Sequence, residues 1–118
     1  MADKVVLTDD GEEWIVDLIA AVTTVRGTWG TGEGEAAKTD DDMATESGES
    51  RVECTITQPS ADKVQYVWQI TATDARAITE AGIFSASTSG TLYFHASFST
   101  INLSSGDKIE FTLQDEIT

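Results

Sequence analysis

The chain carries a single histidine, His95, and a single cysteine, Cys54, so acid-base or thiol chemistry must run through one of them or through its many carboxylates. A histidine working as a general base needs a nucleophile and an orienting group within hydrogen-bond reach. The neighbours of His95, Phe94 and Ala96, supply neither. Alternation sets His95 opposite Leu92, Phe94 and Ala96, which predicts an exposed or interface histidine. Cys54 sits in Val52-Glu-Cys-Thr-Ile56 on the apolar side of a period-two pattern and reads as a small buried hydrophobe. One cysteine cannot close an intramolecular disulfide or build a cysteine-based zinc site.

Three further arrangements could carry chemistry. Asp40-Asp41-Asp42 offers oxygen ligands for a hard cation, but adjacent side chains do not converge without a special turn, and the alternating ligands and central glycine of a calcium loop are missing. It reads as a solvated acidic loop. Thr28-Trp-Gly-Thr-Gly-Glu-Gly34 is glycine-rich yet is followed by no Gly-Lys-Thr or Gly-Lys-Ser, so it is not a phosphate-binding P-loop. Carboxylate pairs of the glycosidase kind arise by chance in a chain this acidic and point to no active site. The reading is a non-enzymatic protein with no catalytic, cofactor or metal site.

Charge bounds the partners. With 21 acidic against 7 basic residues, the net charge of −14 repels phosphate backbones, so direct nucleic-acid binding is disfavoured. Three tryptophans and 40% hydrophobic residues argue for a folded chain rather than a disordered one. The acidity fits a basic partner, or adaptation to concentrated salt, where repulsion is screened within about 3 Å at 1 M. The scarcity of lysine and the frequent threonine favour the salt reading, and with it a halophilic source. No run of eighteen apolar residues occurs and the N-terminus lacks a basic stretch leading into an apolar one, so neither a membrane span nor a signal peptide is expected.

The elements that would position these residues follow from periodicity. At 118 residues a single domain, 1–118, is expected. Trp14, Ile15, Leu18, Ile19 and Val22 recur at helical spacing, predicting one N-terminal helix over about 9–21 with Thr8 as its N-cap and early acids facing the helix dipole. That helix is expected to pack its apolar face, Trp14 included, onto its own sheet. A strand is predicted over Thr23–Trp29, then a long acidic loop over about 30–48. Beyond it, Val52/Cys54/Ile56, Val64/Tyr66/Trp68/Ile70, Leu92/Phe94/Ala96/Phe98 and Ile109/Phe111/Leu113 alternate. Turn clusters at 58–62, 85–90 and 104–107 separate them. The fold class predicted is mainly β: an antiparallel β-sandwich, jelly-roll-like, with one N-terminal α-helix.

Two residues stand out as interface candidates. Trp29, at the mouth of the acidic loop, is expected at an intersubunit contact, because aromatic anchors dominate interface energetics. Glu80 is expected to face a loop or a neighbour as a structural carboxylate, with Arg51 or Arg76 as its ion-pair partner, and Gly82 to mark a bulge or a close backbone approach. Ordering the 19 residues Gly30 to Gly48 costs roughly 1–2 kcal/mol each, and the loop has few apolar side chains to recover it. The expected compensation is a neighbour in a closed homo-oligomer, a trimer or pentamer.

Leu7-Thr-Asp-Asp-Gly-Glu-Glu-Trp14, Gly30-Thr-Gly32, Ala44-Thr-Glu46, Ala77-Ile-Thr-Glu-Ala-Gly-Ile-Phe84, Gly90-Thr-Leu92 and Ile101-Asn-Leu-Ser-Ser-Gly-Asp107 together resemble a widespread group of small tailed-phage virion proteins. Its members are labelled head-decoration or tail-fibre-like. The resemblance implies a virion structural protein, assembled in the host cytoplasm, that decorates or cements the capsid or forms a turret, with itself and the major capsid protein as partners. The acidity departs from most bacterial-phage members and suggests a virus of a halophilic archaeon. A tail or fibre-attachment protein is the alternative within virions. From another class, a carbohydrate-binding module remains open, since sandwiches with exposed aromatics often bind sugars.

Overall fold

A computed structural model of the chain describes residues 4–21 and 24–117. Helix α1 (Asp9–Ala21) is followed by strands β1 (Arg26–Gly30), β2 (Val52–Glu53), β3 (Thr55–Ser60), β4 (Lys63–Thr71), β5 (Arg76–Phe84), β6 (Leu92–Leu103) and β7 (Lys108–Glu116). They form two antiparallel sheets, ordered β2-β1-β5-β6 and β3-β4-β7. The protein is therefore mainly β and packs as a sandwich behind one N-terminal helix, extending 56 × 25 × 24 Å.

The alternating segments build the core. Val64, Tyr66, Trp68 and Ile70 of the central strand β4 all point inward, opposite Trp29 of β1 and Ile78, Ala81 and Ile83 of β5. The ring of Phe111 stacks on Trp68 at 5.1 Å between centroids and meets Trp29 edge-on at 6.4 Å. Phe94, Phe98 and Phe111 are only half-buried, because β6 and β7 are edge strands.

The chain changes sheet at corners that alternation does not reveal. The segment expected as one strand through Cys54 is two: β2 pairs with β1, β3 pairs with β4, and Cys54 turns the corner with its N–H on the Val25 carbonyl at 2.9 Å. Gln58-Pro-Ser60, expected in a turn, lies within β3, and the turn shrinks to Ala61-Asp62. Pro59 is tolerated there because β3 is an edge strand whose register shifts between Thr57 and Ser60. At the far end the two sheet crossings lock together, Ala72 N–H to Asp107 carbonyl at 2.7 Å and Gly106 N–H to Ala72 carbonyl at 2.8 Å.

Thr8 caps α1 as expected, its hydroxyl oxygen accepting the Gly11 N–H at 3.0 Å. The helix meets β3 and β4 through a face rotated from the one its sequence suggests. Val16 is fully buried and Ile15 and Ile19 partly so, whereas Trp14 is 64% and Leu18 50% exposed, which corrects the core assignment of Trp14. Trp14 and Leu18 lie one turn apart, on a flank turned away from the sheet. Val22 and Thr23, also placed in the predicted elements, lie outside the described residues. Among the described residues no helix is long and apolar enough to cross a membrane.

Candidate functional site

The functional groups gather on the outer face of the four-stranded sheet, beneath the acidic loop. Strand β5 presents Ile78, Ala81 and Ile83 to the core, so its face inverts at Thr79-Glu80, where its register with β6 shifts. Glu80, Gly82 and Phe84 consequently point outward, where residues 31–51 cover them. A β-carbon on Gly82 would lie 2.6 Å from the sulfur of buried Met43, so this glycine serves close approach of the loop. The Arg51 guanidinium sits 3.7 Å above the Phe84 ring.

Three carboxylates fasten the loop. Glu80 accepts the N–H groups of Gly32 (2.8 Å), Ala44 (2.9 Å) and Thr45 (2.8 Å), pinching together the two ends of the loop's tip. Glu46 forms a bidentate pair with Arg51, 2.8 Å on each arm, and accepts the Thr28 hydroxyl at 3.0 Å. Glu49, itself buried, accepts the Trp29 indole N–H at 2.7 Å, the Arg76 Nε–H at 2.9 Å, both the N–H and hydroxyl of Thr73, and the Ser47 hydroxyl. Burial alone would raise the pKa of Glu49 and Glu80; the converging donors outweigh it and hold both below the usual carboxylate range.

This arrangement corrects several expectations. Glu80 pairs with neither arginine: Arg51 belongs to Glu46 and Arg76 to Glu49. Trp29 is fully buried inside its own chain, and Glu80 is 2% exposed, so neither side chain is presented to a neighbour. Within its own chain the loop is already anchored, because its carboxylates collect its backbone through buried charge-assisted hydrogen bonds rather than through apolar surface.

His95 lies on the outer face, as alternation implies, but it is covered by the loop rather than exposed. Its side chain is 9% exposed, with Nδ1 2.6 Å from Asp40 and Nε2 2.8 Å from Glu80. Burial works against its charge, but the two flanking carboxylates prevail and raise its pKa. An ionised carboxylate only accepts, so the doubly protonated ring is the form that satisfies both contacts, and both ring nitrogens are engaged within the chain. Asp40, expected with Asp41 and Asp42 in a solvated acidic loop, instead takes His95 and the Ala37 N–H; Asp42 bonds the N–H of Met43, and Asp41 is exposed. Among the described residues no cluster of three or more His, Cys, Asp or Glu could hold a metal. Cys54 is buried, and burial pushes its thiol up to about 12, so it stays protonated and inert near neutrality.

Beside this network an open groove of about 480 Å³ runs between the loop tip and β6, walled by Lys38 and Asp40 on one side and Tyr93, Phe94 and His95 on the other. Nothing in the sequence marked Asp40, Glu80 and His95 as partners, since they come from three separate segments and meet only once the loop folds over β5. A scan against protein-family models gives no match, and a search of curated proteins finds no relative.

Proposed function

We propose that the protein is a structural component of a tailed-virus particle, a decoration or cement protein that docks its N-terminal segment and α1 onto coat subunits. The observation that carries this reading is the apolar surface there: Val5 (88% exposed), Val6 (62%), Leu7, Trp14 and Leu18 project into solvent from one end of the chain. Large apolar side chains gathered on a folded domain mark an interaction site. Asp9, Asp10, Glu12, Glu13 and Asp17 flank them on the same helix, so the complementary surface is an apolar socket rimmed with lysine and arginine. A second copy of the chain would set those carboxylates against their own kind. The virion assignment itself rests on the sequence resemblance. Particle imaging with the labelled protein tests it: density on the capsid shell supports decoration, density at the tail supports the fibre-attachment alternative, and absence from particles overturns both. The double variant Trp14→Ala/Leu18→Ala, which leaves the charge unchanged, should lower occupancy on particles at least about tenfold, the loss expected for truncating a central aromatic anchor.

A second reading, glycan binding, draws on the groove beside β6. The partly exposed Tyr93 ring lies next to Asp40 and Lys38, an aromatic surface flanked by polar groups, in a space of a size that small ligands occupy. A glycan array probed with the intact protein and with Tyr93→Ala decides it: binding lost in the variant supports the reading, and no binding to any glycan removes it.

A further inference from the structure

We infer that His95 is a proton-operated clasp that holds the tip of the acidic loop, residues 36–40, against edge strand β6 and releases it when the imidazolium loses its proton. The geometry imposes this. Both nitrogens of His95 face carboxylate oxygens, at 2.6 Å to Asp40 and 2.8 Å to Glu80, and only the doubly protonated ring satisfies both. A neutral imidazole would turn one lone pair onto a carboxylate at that distance, replacing an ionic hydrogen bond by repulsion.

The two carboxylates differ in what else holds them. Glu80 keeps the amides of Gly32, Ala44 and Thr45, so it stays in place when the proton leaves. Among the described residues Asp40 has besides His95 the Ala37 N–H alone, which lies within the same small turn. Apart from His95, the hydrogen bond that joins the tip to β6 runs from the Ala36 N–H to the Ser97 hydroxyl, at 2.9 Å. Release is therefore local: the tip swings from β6 while the base of the loop stays fastened by Glu46–Arg51 and Glu49–Arg76. The tip is also one wall of the groove over Tyr93 and Phe94, so its release opens that groove.

Among the described residues the charged groups facing His95 are Asp40 from the loop and Glu80 from β5; Lys38 lines the same groove, and Glu46, near Glu80, is neutralised by Arg51. The carboxylates outnumber the lysine, so the net field favours the imidazolium. A histidine whose pKa is raised by folding holds its contribution below its ordinary value of about 6.5 and loses it as pH climbs through the raised value. The clasp is closed in mild acid and opens on the alkaline side.

As the chain has one histidine, its ring signals report the titration directly by NMR, and amide exchange of Ala36 and Ala37 reports the tip. The expected result is a His95 midpoint above about 6.5. Once intrinsic base catalysis is subtracted, exchange at Ala36 and Ala37 should rise with the same midpoint, about tenfold for each pH unit separating the closed from the open tip. Gly32, Ala44 and Thr45 should stay protected. In His95→Gln the tip should be open at every pH, and its exchange should no longer follow a midpoint. Asp40→Asn, at a more exposed position, should lower the His95 midpoint and unlock the tip at neutrality even where His95→Gln folds poorly. Tip exchange that ignores the His95 titration, or a midpoint below about 6.5, overturns the clasp.

Discussion

Glu49 takes the indole N–H of Trp29 at 2.7 Å, joining the end of the acidic loop to the centre of the sandwich core. The same carboxylate holds Arg76 at the start of β5 and Thr73 in the crossing between the sheets. One side chain thus connects the loop, the core and a corner. Glu49→Gln keeps the shape but brings an amide N–H₂ toward donors and strips Arg76 of its partner. Arg76 is a quarter exposed and can turn to water, so the loss is that of charge-assisted hydrogen bonds, about 1.5–3 kcal/mol, a large share of the stability of a small domain. Urea unfolding should show a loss of that size; a change under about 0.5 kcal/mol, usual for a surface site, would show that Glu49 is dispensable.

Stability should fall in acid, in a defined window. Glu49, Glu80, Glu46 and Asp40 are all held below their ordinary values in the folded chain: Glu49 and Glu80 by their donors against burial, Glu46 by the Arg51 pair, and Asp40 by the Ala37 N–H and then His95. Carboxylates with depressed folded pKa contribute fully above the unfolded value of about 4 and lose that contribution as pH drops through the folded one. The melting temperature should therefore hold from about pH 5 to 6 and drop steeply below about pH 4, with a shallower slope in Glu49→Gln and Glu80→Gln. An acid limb of unchanged slope in both variants would refute the assignment.

How far the sequence discloses this molecule depends on whether a residue's neighbours are close in the chain. Tyr66 and Trp68 declare themselves by alternation, Thr8 by its place before a helical pattern, and Ser104 to Asp107 by turn chemistry; in each case the deciding contact lies within a few residues or on one face of a strand. Glu80 is different, because its environment is set by the face inversion at Thr79 and by a loop almost fifty residues earlier in the chain, with Gly32 as its first amide donor. Trp29 misleads for the same reason. It looks like an anchor for a partner, and the partner is Glu49 of its own chain. The acidic loop seemed too polar to order itself because apolar content was the measure, whereas its order comes from paired and hydrogen-bonded charge.

Gly27 is required by packing. Its position on β1 faces inward, and a β-carbon there would run into the Trp68 indole, which Phe111 backs on the other side. Gly27→Ala should destabilise by about 1–3 kcal/mol, the usual cost of an overfilled core, and should alter the near-ultraviolet circular dichroism of Trp68. Gly34→Ala makes the useful contrast: its φ of +111° strains an alanine, but the space around it is open, so any loss should appear without a change in the aromatic signal. Equal aromatic changes in both variants would show that the Trp68 packing is not what Gly27 protects.

Salt should stabilise this protein, and the structure narrows which charges are responsible. Glu46, Glu49, Glu80 and Asp40 have internal partners, and partly buried pairs at hydrogen-bond distance respond weakly to screening. The response must come from exposed acids, Glu33, Glu35, Asp41 and Asp42 on the loop and Asp9, Asp10, Glu13 and Asp17 on the helix, which outnumber the cations that could offset them in a chain of net charge −14. The melting temperature should climb between millimolar and molar sodium chloride as the screening length shrinks from tens of ångströms to about 3 Å. Replacing Glu33, Glu35, Asp41 and Asp42 together by Gln and Asn should raise stability at low salt and flatten the dependence, because it relieves repulsion without touching the network at Glu80. A flat curve for the parent protein would remove the argument for a halophilic source. A parent that responds beside a quadruple variant that responds equally would move the repulsion to the helix, where the same carboxylates rim the apolar surface proposed for docking.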